Sequence, residues 1–316
     1  MKFIILLVLL ISNVHSEEFE DSRYLLDSAY SSNSFEIGPV LENNKQYQFQ
    51  EGTLVLRENE SQELIFFKFR FYLPHKLVRK NLIVLTPNIA GLTILEKRLA
   101  HTLSSNGHPV LVPFDREEKL AFDHETAIKM ERIVRRAMAG TFHMINNIKS
   151  QFPAINTEQM GVVGASLGGI RSSILFGLDS RFKAAFISVA GADIPSLYGA
   201  TQLEQLVTFR EQHMLALNLT KIEDYVSYLR HFIYLEPSLI VKNPNLKGVA
   251  MVIAEKDTAV PTKNQWELFR VIKNQGVHPK TYILNSGHVR GAAELIVREK
   301  TVLEWLSLNL RQNLDN

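Results

Sequence analysis

The chain has 316 residues, 46% of them apolar and 22% charged, with a formal net charge of +2 at pH 7 and no cysteine. That length and apolar fraction can bury a sizeable core in one or two domains. The scattered, nearly balanced charge gives no basic patch for nucleic acid. The missing cysteine excludes thiol catalysis, structural disulfides and cysteine-held zinc.

Lys2 is followed by an apolar run over residues 3–11, then Ser12-Asn13 and Val14-His15-Ser16. A charged start, a short apolar stretch and small or aliphatic residues at 14 and 16 predict a secretory signal peptide over 1–16, cut after Ser16. About nine apolar residues are too few to span a bilayer. No later run is longer, so no transmembrane segment is expected in the mature chain. Export without cysteine points to secretion or a periplasm. Residues 17–50 are polar and mixed, with Ser-Ser-Asn-Ser at 31–34, and read as an irregular N-terminal arm.

Residues 51–316 read as one α/β domain. Strands are expected at 53–57 and 64–73, joined by a turn at 59–62. Phe67, Phe69, Phe71 and Leu73 alternate with polar neighbours in the second. Strand and helix then alternate. Strands fall at 82–85 and 110–112, with Leu95, Leu99 and Leu103 on a helix face between them. A long helix is expected at 124–150, with Gly140 a candidate break and Arg132, Arg135 and Arg136 on a solvated face. Three more strands follow at 182–190, 248–254 and 280–284, then a closing helix at 292–310. This pattern predicts a mostly parallel sheet with helices on both faces. Residues 194–245 break the alternation with large side chains such as Phe209, Tyr225, Tyr228 and Phe232. They read as a helical cap over a pocket, with simple packing into the core as the alternative.

Between a short apolar strand at 160–163 and a helix at 167–178 stands Gly164-Ala165-Ser166-Leu167-Gly168-Gly169. A G-x-S-x-G at a strand-to-helix turn is so tight that side chains two residues either side of the serine would collide. It lifts the serine hydroxyl to the C-terminal edge of the sheet. Serine needs a base to take its proton, and the base needs an acid to orient it. Asp257 follows the strand at 248–254, and His288 follows the strand at 280–284. Both therefore stand at the same edge as Ser166. Asp257 could instead cap the next helix, and His288 could be an ordinary loop histidine. Asp193 and Glu255 are rival acids; His75 and His124 are the other histidines to weigh. For a developing oxyanion, the Leu167 N–H is one expected donor. The loop Thr86-Pro87-Asn88-Ile89-Ala90-Gly91 supplies the other, Ile89 N–H, with Asn88 as the alternative.

Gly164-x-Ser166-x-Gly168-Gly169, the Asp257-x-x-Val260-Pro261 segment and Gly287-His288, in this order, resemble the α/β-hydrolase superfamily, most of all its dienelactone-hydrolase and acyl-ester-hydrolase branches. The resemblance runs from about residue 82 to the C-terminus. It implies an α/β-hydrolase fold with a sheet of about eight strands, a cap inserted after the sixth, no cofactor or metal, and hydrolysis of an ester or amide. The loop at 86–91 and the long arm depart from the superfamily pattern. The expected activity is that of an exported serine hydrolase acting on a small ester or acyl substrate, most simply a carboxylic ester. A peptidase or thioesterase of the same fold, or a non-catalytic envelope-associated binding protein, are the competing readings. Oligomeric state is open.

Overall fold

The computed structural model describes residues 26, 28–115, 122–241, 246 and 248–311. The expected signal peptide and residues 17–25 of the arm lie outside the described residues, as do 242–245 at the end of the expected cap. Among the described residues the sheet has nine strands, in the order β1-β2-β3-β5-β4-β6-β7-β8-β9. They are β1 Tyr30–Asn43, β2 Tyr47–Glu58, β3 Leu64–Pro74, β4 Asn81–Thr86, β5 Val110–Asp115, β6 Asn156–Ala165, β7 Phe182–Ser188, β8 Gly248–Ala254 and β9 Lys280–Leu284. The first three pair antiparallel and β3 meets β5 antiparallel. The remaining pairs are parallel.

The ninth strand is β1, so the arm is not irregular from Tyr30 onward. Only Tyr30 of β1 is buried, and register shifts fall between Ser32 and Ser34, Ile37 and Val40, and Val40 and Glu42. Each bulge resets the two-residue alternation, so the sequence carries no period to read. Backbone pairing with β2 makes this strand, not its side chains.

The helices are α1 Ile94–Ser105, α2 Thr126–Gln151, α3 Leu167–Leu178, α4 Ile194–Ala200, α5 Glu204–Ala216, α6 Ile222–Arg230, α7 Pro237–Ile240, α8 Thr262–Asn274, α9 His288–Val297 and α10 Glu299–Asn309. One core, with Phe69, Phe142, Phe176 and Leu268, lies under α2, α3 and α8. A second, with Leu99, Phe186, Leu295 and Leu306, lies under α1, α9 and α10 on the other face. Strands buried on both faces must be apolar throughout, and β8 (Gly-Val-Ala-Met-Val-Ile-Ala) is buried at every position.

Three local expectations change. Gly140 does not break α2; a Cβ there would press on the Phe67 ring, so the glycine serves close packing of helix on sheet. Arg136 is not on a solvated face, because it is buried and ion-paired with Glu58 and Glu63. The closing helix is two helices: α9 begins at His288 itself, and a break at Arg298 separates it from α10. The order of β5, β4 and β6 sends the chain to opposite sides of β4, which makes a crevice at the C-terminal ends of β4 and β6. The loop 86–91 and the turn at Ser166 leave the sheet there.

Candidate active site

At the end of β6, Ser166 sits at φ 56°, ψ −126°. A positive φ costs a residue with a Cβ about 1–3 kcal/mol, so neighbours must hold it. The Ser166 N–H donates to the Ser188 carbonyl at 2.9 Å, and the Ile170 N–H donates to the Ser166 carbonyl at 3.0 Å. A Cβ on Gly164 would run into the Gly168 carbonyl and Thr86 Oγ1, and one on Gly168 into the backbone of Thr86 and Pro87. Both glycines of the motif are therefore steric necessities. Thr86, buried at the end of β4, reaches the Gly168 carbonyl at 2.5 Å and Ser172 Oγ at 2.6 Å, tying β4 to the turn. The Ser166 side chain makes no capping bond to α3, which leaves its hydroxyl to face outward.

His288 begins α9 after β9. Its Nε2 lies 2.9 Å from Ser166 Oγ and its Nδ1 2.7 Å from Asp257 Oδ2. A carboxylate only accepts, so the ring proton sits on Nδ1 and Nε2 is the acceptor for the serine O–H. Asp257 is fully buried in its side chain, whereas that of His288 is 21% exposed. Asp257 Oδ1 accepts from the Ala259 and Val260 N–H groups, each at 2.9 Å. Its Oδ2 also accepts from Gln265 Nε2 at 2.9 Å. Asp257 does not cap α8, whose N-terminus has no side-chain cap.

The rivals are occupied elsewhere. Asp193 caps α4 and pairs with Arg230 at 2.9 Å. Glu255 is exposed. His75 Nε2 meets the Asn44 carbonyl, and His124 is an exposed residue just before α2. Ser166, Asp257 and His288 are the set the fold brings together.

Leu167 is the first residue of α3, so its N–H has no intrahelical acceptor. In the loop after β4, buried Glu96 accepts from the Asn88 N–H at 3.2 Å, from Asn88 Nδ2 at 2.8 Å and from the Thr93 N–H at 2.8 Å. The Asn88 N–H is thus committed. The Ala90 and Gly91 N–H groups bond back to Asn88. Among the described hydrogen bonds, the Ile89 N–H has none. Ile89 and Leu167 both line the cavity that holds Ser166.

That cavity has a volume of about 200 Å³. Its lining is mostly aliphatic: Met130 and Val134 from α2, Ile170 and Ile174 from α3, and Leu197, Leu206 and Ile233 from the helical excursion after β7. Tyr198 of α4 also lines the cavity, but the other aromatic residues of that excursion do something else. Phe209, Tyr225 and Tyr228 surround His213 with ring centroids 5.5–5.8 Å away. Burial lowers the His213 pKa. Tyr225 and Leu229 pack with Ala127 and Met130 in a small separate cluster. Glu236 clasps the two ends of the excursion, accepting from the Asp193 N–H at 2.9 Å and the Ser238 N–H at 3.2 Å. Thr201 Oγ1 donates to the Ala259 carbonyl, in the loop that carries Asp257. Among the described residues no cluster of three or more His, Asp or Glu is placed to hold a metal ion.

With this geometry in place, residues 137–313 match the sequence profile of the prolyl oligopeptidase family, over more than half of the chain. The chain belongs to the prolyl oligopeptidase family. The family match spans Ser166, Asp257, His288 and the helical excursion, but not the loop of Ile89. No curated protein matches the chain. Among solved structures, an acetyl xylan esterase from a Paenibacillus species superposes with a TM-score of 0.69 at 12% identity, covering 95% of this chain and 98% of that one. Acetyl xylan esterase 1 from a Thermoanaerobacterium species gives 0.66 at 12% identity, over 92% and 95%. The Pyrococcus horikoshii acylaminoacyl peptidase gives 0.59 at 12% identity over 89% of this chain, which spans only 52% of that protein. The fold is that of the α/β-hydrolase superfamily of serine hydrolases, as the resemblance implied.

Thr86, Glu96 and Gln265 are the residues that motif reading missed. Each acts on a functional group through the fold. Glu96 alone had a local signal, since Thr93-Ile94-Leu95-Glu96 is a capping box at the start of α1.

Proposed function

We propose that this chain is an exported serine hydrolase that cleaves carboxylic esters through an acyl-enzyme on Ser166. The single observation that carries the reading is the hydrogen-bonded line Asp257–His288–Ser166 at 2.7 and 2.9 Å. Ser166 Oγ attacks the acyl carbon as its proton passes to His288 Nε2. The carbonyl oxygen becomes an oxyanion, held by the N–H groups of Leu167 and Ile89. The C–O bond to the leaving group breaks, and the alkoxide takes the proton from Nε2. Water then loses a proton to His288 and attacks the acyl carbon, Ser166 departs with that proton, and the acid is released. Asp257 holds the imidazole in the productive tautomer and stabilises its cation. Gln265 and the N–H groups of Ala259 and Val260 hold Asp257 in turn.

Export rests on the leader-like residues 1–16; recovery of secreted protein beginning at Glu17 is the expected result, and retention of an intact Met1 in the cell would count against it. The peptidase reading draws on the family match. Ester and anilide substrates sharing one acyl group separate the two.

The decisive experiment treats folded protein with a fluorophosphonate probe and maps the adduct by mass spectrometry. The expected adduct is on Ser166, and it disappears in Ser166→Ala and His288→Ala. Folded protein that takes no label, or takes it elsewhere, overturns the mechanism.

A further inference from the structure

We propose that this site takes its acyl group as a medium-length alkyl chain of about eight to ten carbons, laid along α3 beneath the cap. The proposal rests on the hydrolase reading above and names the substrate class of the same site.

Helix α3 acts as a ruler. Ser166, Leu167, Ile170 and Ile174 all line the one cavity, and they succeed one another along a single helix. Ile174 lies eight residues beyond Ser166, about 12 Å along the axis at 1.5 Å per residue. An extended chain advances about 1.2 Å per bond, so about ten bonds reach from the serine to the far wall. Volume leads to the same size independently. A cavity of about 150 Å³ holds the six carbons of benzene, so the roughly 200 Å³ here admits on the order of eight carbons. An acetyl group would fill only the first turn.

The chemistry of the wall agrees. Met130 and Val134 of α2 join α3 in the lining, with Leu206 and Ile233 from the excursion after β7. Tyr198 adds one phenol to this wall, and two charged residues reach the lining. The Glu131 carboxylate already accepts from the Tyr234 and Leu235 N–H groups, and Arg171 has a partner of its own. A hydrocarbon chain loses no hydrogen bond to water on entering such a space, while a peptide or sugar would leave its polar groups unpaired.

The test measures kcat/KM for para-nitrophenyl esters from acetate to palmitate, alongside fluorophosphonate labelling of Ser166. The expected profile rises by about two- to fourfold per added methylene, peaks at octanoate or decanoate and falls by palmitate. Ile174→Phe shortens the far end and should cut the octanoate-to-acetate ratio at least tenfold. Should Ile174→Phe fail to fold, Leu206→Trp narrows the cavity from the half-buried cap side and should lower the same ratio. A profile that is highest for acetate and falls with length, on protein whose Ser166 still labels, overturns the chain-length proposal and leaves the hydrolase reading standing. An octanoate preference untouched by both substitutions overturns the placement along α3. No label and no turnover of any ester sinks both readings together.

Discussion

Helices α3 and α5 are nearly equal in length, 12 and 13 residues, yet ten residues of α3 are buried and only His213 of α5. The first carries the nucleophile between sheet and α2; the second belongs to the helical excursion after β7, the proposed cap. The groups that hold the turn of Ser166, Asp257 and the oxyanion loop are buried backbone or buried polar side chains, notably Thr86, Gln265 and Glu96 respectively. The cap hangs on a small aromatic nest, the Glu236 clasp and the Thr201 bond to Ala259. Local opening is cheap where few apolar groups are buried. The chemistry is therefore mounted on the more deeply buried half, while the excursion after β7 supplies part of the cavity wall.

The sharpest way to break this contrast is at the nucleophile. Ser166→Ala should lower kcat by a factor on the order of 10⁴ to 10⁶, with thermal stability changed little, because alanine keeps the same backbone strain and only the hydroxyl bonded to His288 is lost. A loss below tenfold would place the reaction elsewhere. Asp257→Asn should cost about 10³ to 10⁴ in kcat, since an amide can turn its NH₂ toward His288 and impose the wrong tautomer. Gln265→Leu should act one step removed, lowering kcat about tenfold and shifting its pH profile, while destabilising the fold by about 2 kcal/mol through unpaired groups. An unchanged pH profile would make Gln265 merely structural.

In the cap the expectation reverses. His213→Ala should leave kcat for the shortest ester within a few-fold, yet markedly raise amide hydrogen exchange in α5 and α6. The lowered His213 pKa means the folded cap favours the neutral ring. Its contribution is present above the unfolded value and is lost as pH falls, so acid should open the cap before the sheet, read by the same exchange measurement.

The smallest effect on activity is expected at His108, buried far from the site between the Asn81 carbonyl and Ser307 Oγ. Burial pushes its pKa down to about 4. Neutral His108 therefore contributes stability that is full above about pH 6.5 and is lost as pH falls toward 4, up to roughly 3 kcal/mol. His108→Gln should flatten that part of the stability profile and leave ester turnover unaffected.

The sequence by itself determined what local sterics and short periods decide. Gly164, Ser166 and Gly168 forecast the turn because the contact between Gly164 and Gly168 is local, while Thr86 and Pro87, which a Cβ on Gly168 would strike, come from the end of a distant strand. The buried strands were legible because a strand covered on both faces must be apolar at every position. The order of Ser166, Asp257 and His288 was legible because a parallel sheet returns each following loop to one edge. Tertiary structure alone decided the rest. Strand β1 exists through backbone pairing that bulged, polar side chains do not encode. Glu96 claims the Asn88 N–H and leaves the Ile89 N–H with no partner among the described residues, an arrangement that depends on how α1 docks. The aromatic residues of the cap reading turned inward on His213, and aliphatic residues of α2, α3 and the cap line the cavity. Which face of an amphipathic segment meets the substrate is set by what packs behind it, and that partner lies far away in the chain.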